Sequence, residues 1–132
     1  YVIIMGGSND FMSNRSLKIV TDNITLIVKD AVNYKIISII GIEPAVDKLM
    51  AEKKWDSTLN YNKINKLQEN YRNWIISFCD ENKFHYIDYY DCFREKLKDI
   101  GANRLFVDGL HPSTLGHELM AECTINFFKS LA

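Results

Sequence analysis

Two apolar runs in the chain carry no polar alternation: Val2-Ile3-Ile4, within the opening Tyr1 to Met5, and Ile36-Ile37-Ser38-Ile39-Ile40. A strand reads this way when both its faces are covered, as in a parallel sheet flanked by helices. Phe84-His85-Tyr86-Ile87-Asp88 is shorter and more mixed, the pattern of an edge strand. Between these runs the apolar residues recur at helical spacing. Leu17, Val20, Ile24, Ile27, Val28 and Ala31 predict one helix, and Ile64, Leu67, Tyr71, Trp74 and Phe78 predict a longer one over residues 60–82. Pro112 suits a first helical turn and marks the start of the last helix, whose inward stripe is Leu115, Leu119, Cys123 and Phe127. A short helix is expected at Phe93 to Lys98. The connection from Gly41 to Leu59 is too long for an ordinary loop, and Ala45 to Lys54 predicts a helix within it, over the carboxyl ends of the strands. Strand and helix alternate throughout, which predicts an α/β fold with a parallel sheet and right-handed crossovers.

Composition narrows the functional classes. A chain of 132 residues suits a single domain. Sixteen basic and seventeen acidic residues are well mixed, for a net charge of −1, so nothing in the charge favours nucleic acid or an anionic membrane as partner. No apolar run reaches the roughly 18 residues that span a bilayer. Cys79, Cys92 and Cys123 form no C-x-x-C pair; one disulfide is arithmetically possible, but three buried free thiols in a reducing compartment is the simpler expectation. The chain opens directly in a core-type strand, with neither a Met nor the basic segment of a secretory leader, an opening that leaves secretion undecided.

Two segments carry chemistry. Gly6-Gly7-Ser8-Asn9-Asp10 follows the first strand. Paired glycines let the backbone turn sharply there, and Asn9 offers a neutral amide donor, suited to stabilising an oxyanion because it does not titrate. The plain alternative is a Gly-Asn-Asp turn held by Asx-type hydrogen bonds. Asp108-Gly109-Leu110-His111-Pro112-Ser113 precedes the last helix. A turn there brings the Asp108 carboxylate to one imidazole nitrogen of His111 and leaves the other for a proton transfer, the arrangement a general base needs. Here the alternative is that Asp108 caps a turn and His111 packs near a helix start. Other constellations are weak: His85, His111 and His117 have no metal-ligand spacing, Cys92 has no histidine partner, and Asp88 reads as a strand-end cap. Trp55, Tyr61 and Trp74 are candidates to line an acyl or sugar pocket, with Trp74 placed by its spacing in the core.

Taken in order, Gly-Gly-x-Asn-Asp after a strand and Asp-Gly-x-His-Pro before a final helix resemble the two later motifs of the SGNH (GDSL-type) hydrolase family. The apolar flanks Val107 and Leu110 and the small Gly116 fit the same pattern. The resemblance implies a flavodoxin-like three-layer α/β/α sandwich and a serine-dependent hydrolysis of acyl esters of small molecules, glycans or lipids. It assigns Asn9 to the oxyanion hole, with Gly6, Gly7 and Asp10 as its supporting loop, and Asp108 and His111 to the triad acid and base. It calls for no metal or organic cofactor. The family's Gly-Asp-Ser nucleophile motif has no counterpart, since none of the serines at positions 8, 13, 16, 38, 57, 77, 113 and 130 follows Gly-Asp. The backbone-glycine oxyanion donor is missing too. Residues 1–132 are therefore expected to be the C-terminal portion of one such domain, roughly two βα units of about 30 residues each short of the whole. Such a portion would be inert alone and would expose a strand edge prone to self-association. The alternative function is a non-catalytic flavodoxin-like binding or scaffolding domain.

Overall fold

A computed structural model describes residues 1–132. Three strands, β1 (Val2–Met5), β2 (Ser38–Ile42) and β3 (His85–Asp88), pair in parallel in the order β1-β2-β3. Ile3 lies opposite Ile39, and Ile39 opposite His85. Between β1 and β2 run α1 (Ser8–Met12) and α2 (Leu17–Asn33); α3 (Lys48–Lys54) and α4 (Tyr61–Asn82) lead to β3. The chain closes with α5 (Tyr89–Ile100), α6 (Ala102–Leu105) and α7 (Thr114–Leu131).

The period of two along β2 divides its side chains between two layers. Ile40 and Ile42 face α2 and α4, where Val20, Ile24, Val28, Ile64, Tyr71, Ile75 and Cys79 close the main core. Ile39, with Ile87 and Tyr89, faces α7 through Met120, Cys123 and Phe127. The architecture is the expected three-layer α/β/α sandwich around a parallel sheet. β2 is buried at all five positions. Each such isoleucine contributes about 1.5–3 kcal/mol of burial, which makes β2 the anchor of the fold.

β1 departs from the expectation that both its faces are covered. Only Ile4 packs into the core, while Val2, Ile3 and Met5 remain 37–46% exposed. α2 and α4 cover the side to which Ile4 points, whereas α7 lies against β3 and meets the β1 end of the sheet through Tyr1 and Phe128. No strand pairs with the outer edge of β1.

Several boundaries also move. β2 starts two residues later than the apolar run, because Lys35 adopts a left-handed turn (φ 58°) and the Ile36 amide closes the end of α2 on the Ala31 carbonyl. The buried line of α4 is Tyr61, Ile64, Gln68, Tyr71, Ile75 and Cys79, with Leu67, Trp74 and Phe78 only partly buried beside it. The stripe has rotated to bring a polar residue, Gln68, inward. α5 is longer than predicted because Asp88 caps it, accepting from Asp91 N. The same carboxylate receives Arg72 from α4 at 2.6 Å, so Asp88 has a structural role. The last helix is capped by Ser113, whose Oγ accepts from Gly116 N, and Pro112 stands just before it.

The three-thiol expectation is overturned. α5 and α7 lie side by side on the same face of the sheet, which sets Cys92 opposite Cys123, and a disulfide joins them across 7.0 Å between Cα atoms. That pairing removes the ground for a reducing compartment. Cys79 is free and buried, and burial pushes its thiol up to about 12. Thiol titration of the chain unfolded without reductant should therefore find one reactive cysteine, and three after reduction. Closing a 31-residue separation, the bond is expected to contribute about 3–4 kcal/mol, read as a fall in denaturation midpoint on reduction. Three thiols in the untreated chain would show that the pair is open.

Candidate active site

β1 ends at Met5, and the chain must turn at once to start α1. Gly7 makes that turn at φ 134°, and a Cβ there would lie 2.8 Å from Tyr71 Cε1, so both backbone and space require glycine. Gly6 has no such constraint, since a Cβ would meet nothing within 4 Å. Asn9 follows in the first turn of α1 with its side chain exposed and its amide free of any hydrogen bond within the chain. Asp10 turns aside and pairs with Arg15 at 3.3 Å.

The second segment folds into a tight reversal between α6 and α7. Phe106 and Pro112 bridge antiparallel, and Val107 N donates to the His111 carbonyl at 2.9 Å. Inside the reversal, Asp108 Oδ1 accepts from Leu110 N at 2.9 Å and from His111 N at 2.8 Å. Its other oxygen, Oδ2, lies 2.7 Å from His111 Nδ1. One carboxylate thus shapes the backbone and orients the ring. Burial alone would raise the Asp108 pKa, but the hydrogen bonds from the His111 amide, the His111 ring and the Leu110 amide outweigh it and hold the group below the usual carboxylate range. His111 Nε2 makes no bond within the chain.

Gly109, at φ 93°, seats this turn on the start of α3. Its carbonyl accepts from Asp47 N at 2.9 Å, and a Cβ would fall 2.6 Å from Ala51 N. Ser113, next to the site, is spent on structure, its Oγ donating to the Arg104 carbonyl at 2.5 Å.

Asn9 and His111 line one cavity of about 190 Å³ at the carboxyl edge of the sheet. Met5, Met12, Val46, Leu110 and Met120 form its apolar wall, and Ser8 and Glu43 add polar groups. The cavity thus unites residues from opposite ends of the chain; Gly6, Gly7 and Asp10 lie outside it, behind β1. Trp55, at the end of α3, is half-exposed and meets the His111 ring edge-on at 5.0 Å between centroids. Tyr61 is buried instead, its hydroxyl donating to the Asp56 carbonyl at 2.8 Å, and Trp74 stacks on Phe78. Glu43 was not singled out in the sequence. Its only signal is a charged residue directly after a continuous apolar strand.

The sequence model of the GDSL-like lipase/acylhydrolase family matches residues 1–124. No curated protein matches. Among solved structures, a lipolytic protein of the G-D-S-L family from Veillonella parvula is 21% identical with a TM-score of 0.78, covering 96% of this chain and 62% of its own. A GDSL-like lipase from Bacteroides thetaiotaomicron is 21% identical with a TM-score of 0.72, over 99% of this chain and 62% of its own. A catalytic mutant of an acetylxylan esterase from Geobacillus stearothermophilus is 20% identical with a TM-score of 0.73, over 96% of this chain and 57% of its own. Residues 1–132 therefore span about three-fifths of the length of these proteins.

The turn geometry gives two expectations. Asp108→Ala removes a charged acceptor from two backbone amides and should destabilise by about 2–3 kcal/mol in chemical denaturation, with Asp108→Asn milder. Gly109→Ala should cost at least about 2 kcal/mol, through both strain and clash. Because the folded pKa of Asp108 is depressed, its contribution is full above the ordinary carboxylate range and is lost as pH falls through the lowered value. The unmodified chain should thus lose stability below about pH 4 more steeply than Asp108→Asn. Parallel pH–stability curves for the two would contradict this.

Proposed function

The chain belongs to the GDSL-like lipase/acylhydrolase family, and from that premise we propose that it supplies the base, its orienting acid and one oxyanion donor of a serine-dependent acyl-ester hydrolase. The observation that carries the reading is the shared cavity: the free amide of Asn9 and an imidazole already bonded to Asp108 line the same space.

In this reading a serine hydroxyl attacks the ester carbonyl carbon while His111 Nε2 takes its proton. Asp108 holds the Nδ1 tautomer and stabilises the imidazolium. Asn9 donates to the tetrahedral oxyanion. Collapse of that intermediate breaks the bond to the leaving alkoxide, which receives the proton from His111. Water then attacks the acyl-serine by the same route, returning acid and enzyme.

The nucleophile is read as lying outside these 132 residues. Ser8, which lines the cavity, and Ser113, two residues after His111, both donate their hydroxyl protons to other groups. The unpaired edge of β1 and the exposed Val2, Ile3 and Met5 offer the place for a further strand bearing the family's Gly-Asp-Ser motif. The same edge favours a second reading for the chain on its own, association with another copy. Sedimentation at tens of micromolar should then show a dimer, and a monomer at every concentration would remove that reading.

The apolar wall of Met5, Met12, Val46, Leu110 and Met120 offers a surface for an acyl group. The similarity to an acetylxylan esterase agrees with acetyl as that group. A form of the protein that carries the serine should label with a fluorophosphonate and hydrolyse p-nitrophenyl acetate faster than the decanoate. His111→Ala and Asp108→Asn should each lower kcat by about 10³–10⁴. If His111→Ala leaves hydrolysis intact, the assignment of the base fails; if the serine-bearing form neither labels nor hydrolyses, a binding domain becomes the better reading.

A further inference from the structure

The helix that presents Asn9 has five residues, too few to hold itself, since a first turn is costly to form. It begins at Gly7, which has no side chain with which to cap it. The cap comes from across the sheet edge. Ser8 N donates to Glu43 Oε2 at 2.8 Å, and Ser8 Oγ donates to the same oxygen at 2.7 Å. Buried Gln68 of α4 backs this contact: its Nε2 donates to Ser8 Oγ at 2.8 Å and its Oε1 accepts from Val46 N at 3.1 Å. Asn65 Nδ2 completes the set, donating to the Val46 carbonyl at 3.0 Å. The loops after β1 and β2 are thereby tied to each other and to α4, next to the amide of Asn9.

Glu43 also lines the cavity with Asn9 and His111, so its charge acts in two opposing ways. A carboxylate beside a developing oxyanion disfavours it through Coulomb repulsion. A carboxylate that fixes the donor favours it, because losing an oxyanion donor altogether costs about 10²–10³ in rate. The first effect is blunted here: one oxygen already receives two donors, one of them a first-turn amide at the positive end of α1.

We propose that Glu43 is a positioning residue for the oxyanion donor, capping α1 from the end of β2 and fixing the Asn9 amide toward the cavity. The proposal rests on the hydrolase reading for its catalytic consequence, but the capping contact can be tested apart from it. In a form of the protein carrying the serine, Glu43→Gln should lower kcat about tenfold with KM little changed, and Glu43→Ala should lower it further. Ser8→Ala should lower kcat as well, and Ser8→Ala combined with Glu43→Gln should cost less than the product of the two single losses, because both act through one contact. A rise in kcat for Glu43→Gln, the result if its charge merely opposes the oxyanion, would overturn the proposal. In the 132-residue chain, Glu43→Gln should move the Ser8 amide proton upfield and shift the Asn9 side-chain amide signals in NMR spectra. Unchanged signals at both residues would overturn the cap whatever the kinetics. Absence of hydrolysis by the unmodified serine-bearing form, with the NMR shifts present, would count against the hydrolase reading and leave the cap standing.

Discussion

The parallel pairing of β2 with both its neighbours determines where everything else can be. Parallel strands all end at one edge of the sheet, so Met5, Ile42 and Asp88 finish side by side and the loops that follow them meet. β2 is the only strand buried along its whole length, and its isoleucines serve two cores at once. Around this strand the edge acquires an amide donor from one loop and a carboxylate from the next. The third loop supplies no reacting group, since Asp88 is engaged by Arg72 and by the start of α5. The imidazole arrives from the reversal before α7, which α3 and α6 hold over the same edge.

What could be read from the sequence follows the range of each interaction. Asp108 and His111 are three residues apart, and their hydrogen bonds form inside one turn, so residue types and spacing suffice to suggest them. Gly7 and Asn9 are legible for the same reason, the turn demanding one and the exposed amide declaring the other. The partners of Ser8 lie 35 and 60 positions away, and no local pattern points to Glu43 or Gln68. Gln68 even hides within a stripe that reads as apolar, because Leu67 beside it fits the period equally well. Cys92 and Cys123 belong to the same class: the thiols meet only because α5 and α7 share one face of the sheet. β2 begins two residues after the start of its apolar run because the end of α2 claims the Ile36 amide, a competition that strand propensity does not register.

The site is economical in charge. Its two carboxylates are each engaged by backbone amides before any ligand arrives: Asp108 by those of Leu110 and His111, Glu43 by that of Ser8. Such bonds hold both carboxylates in place, and at Asp108 they also favour the ionised form. The groups left free of hydrogen bonds within the chain are the amide of Asn9 and the Nε2 of His111. On the proposed reading, orientation and reaction thus fall to different side chains.

The seat of Gly109 against Asp47 and Ala51 has a consequence for how the molecule can vary. Backbone touches backbone there, with no side chain in between to absorb a shift, so α3 and the Asp-His turn form one rigid block. Insertions between Asp56 and Leu59 leave that contact in place, whereas insertions between Glu43 and Val46 would break the bonds from Gln68 and Asn65 that hold the segment. Insertions within residues 47–51 would part the two backbones. Variation near the cavity rim is therefore channelled into the segment that follows α3, with Trp55 carried at the helix end beside His111.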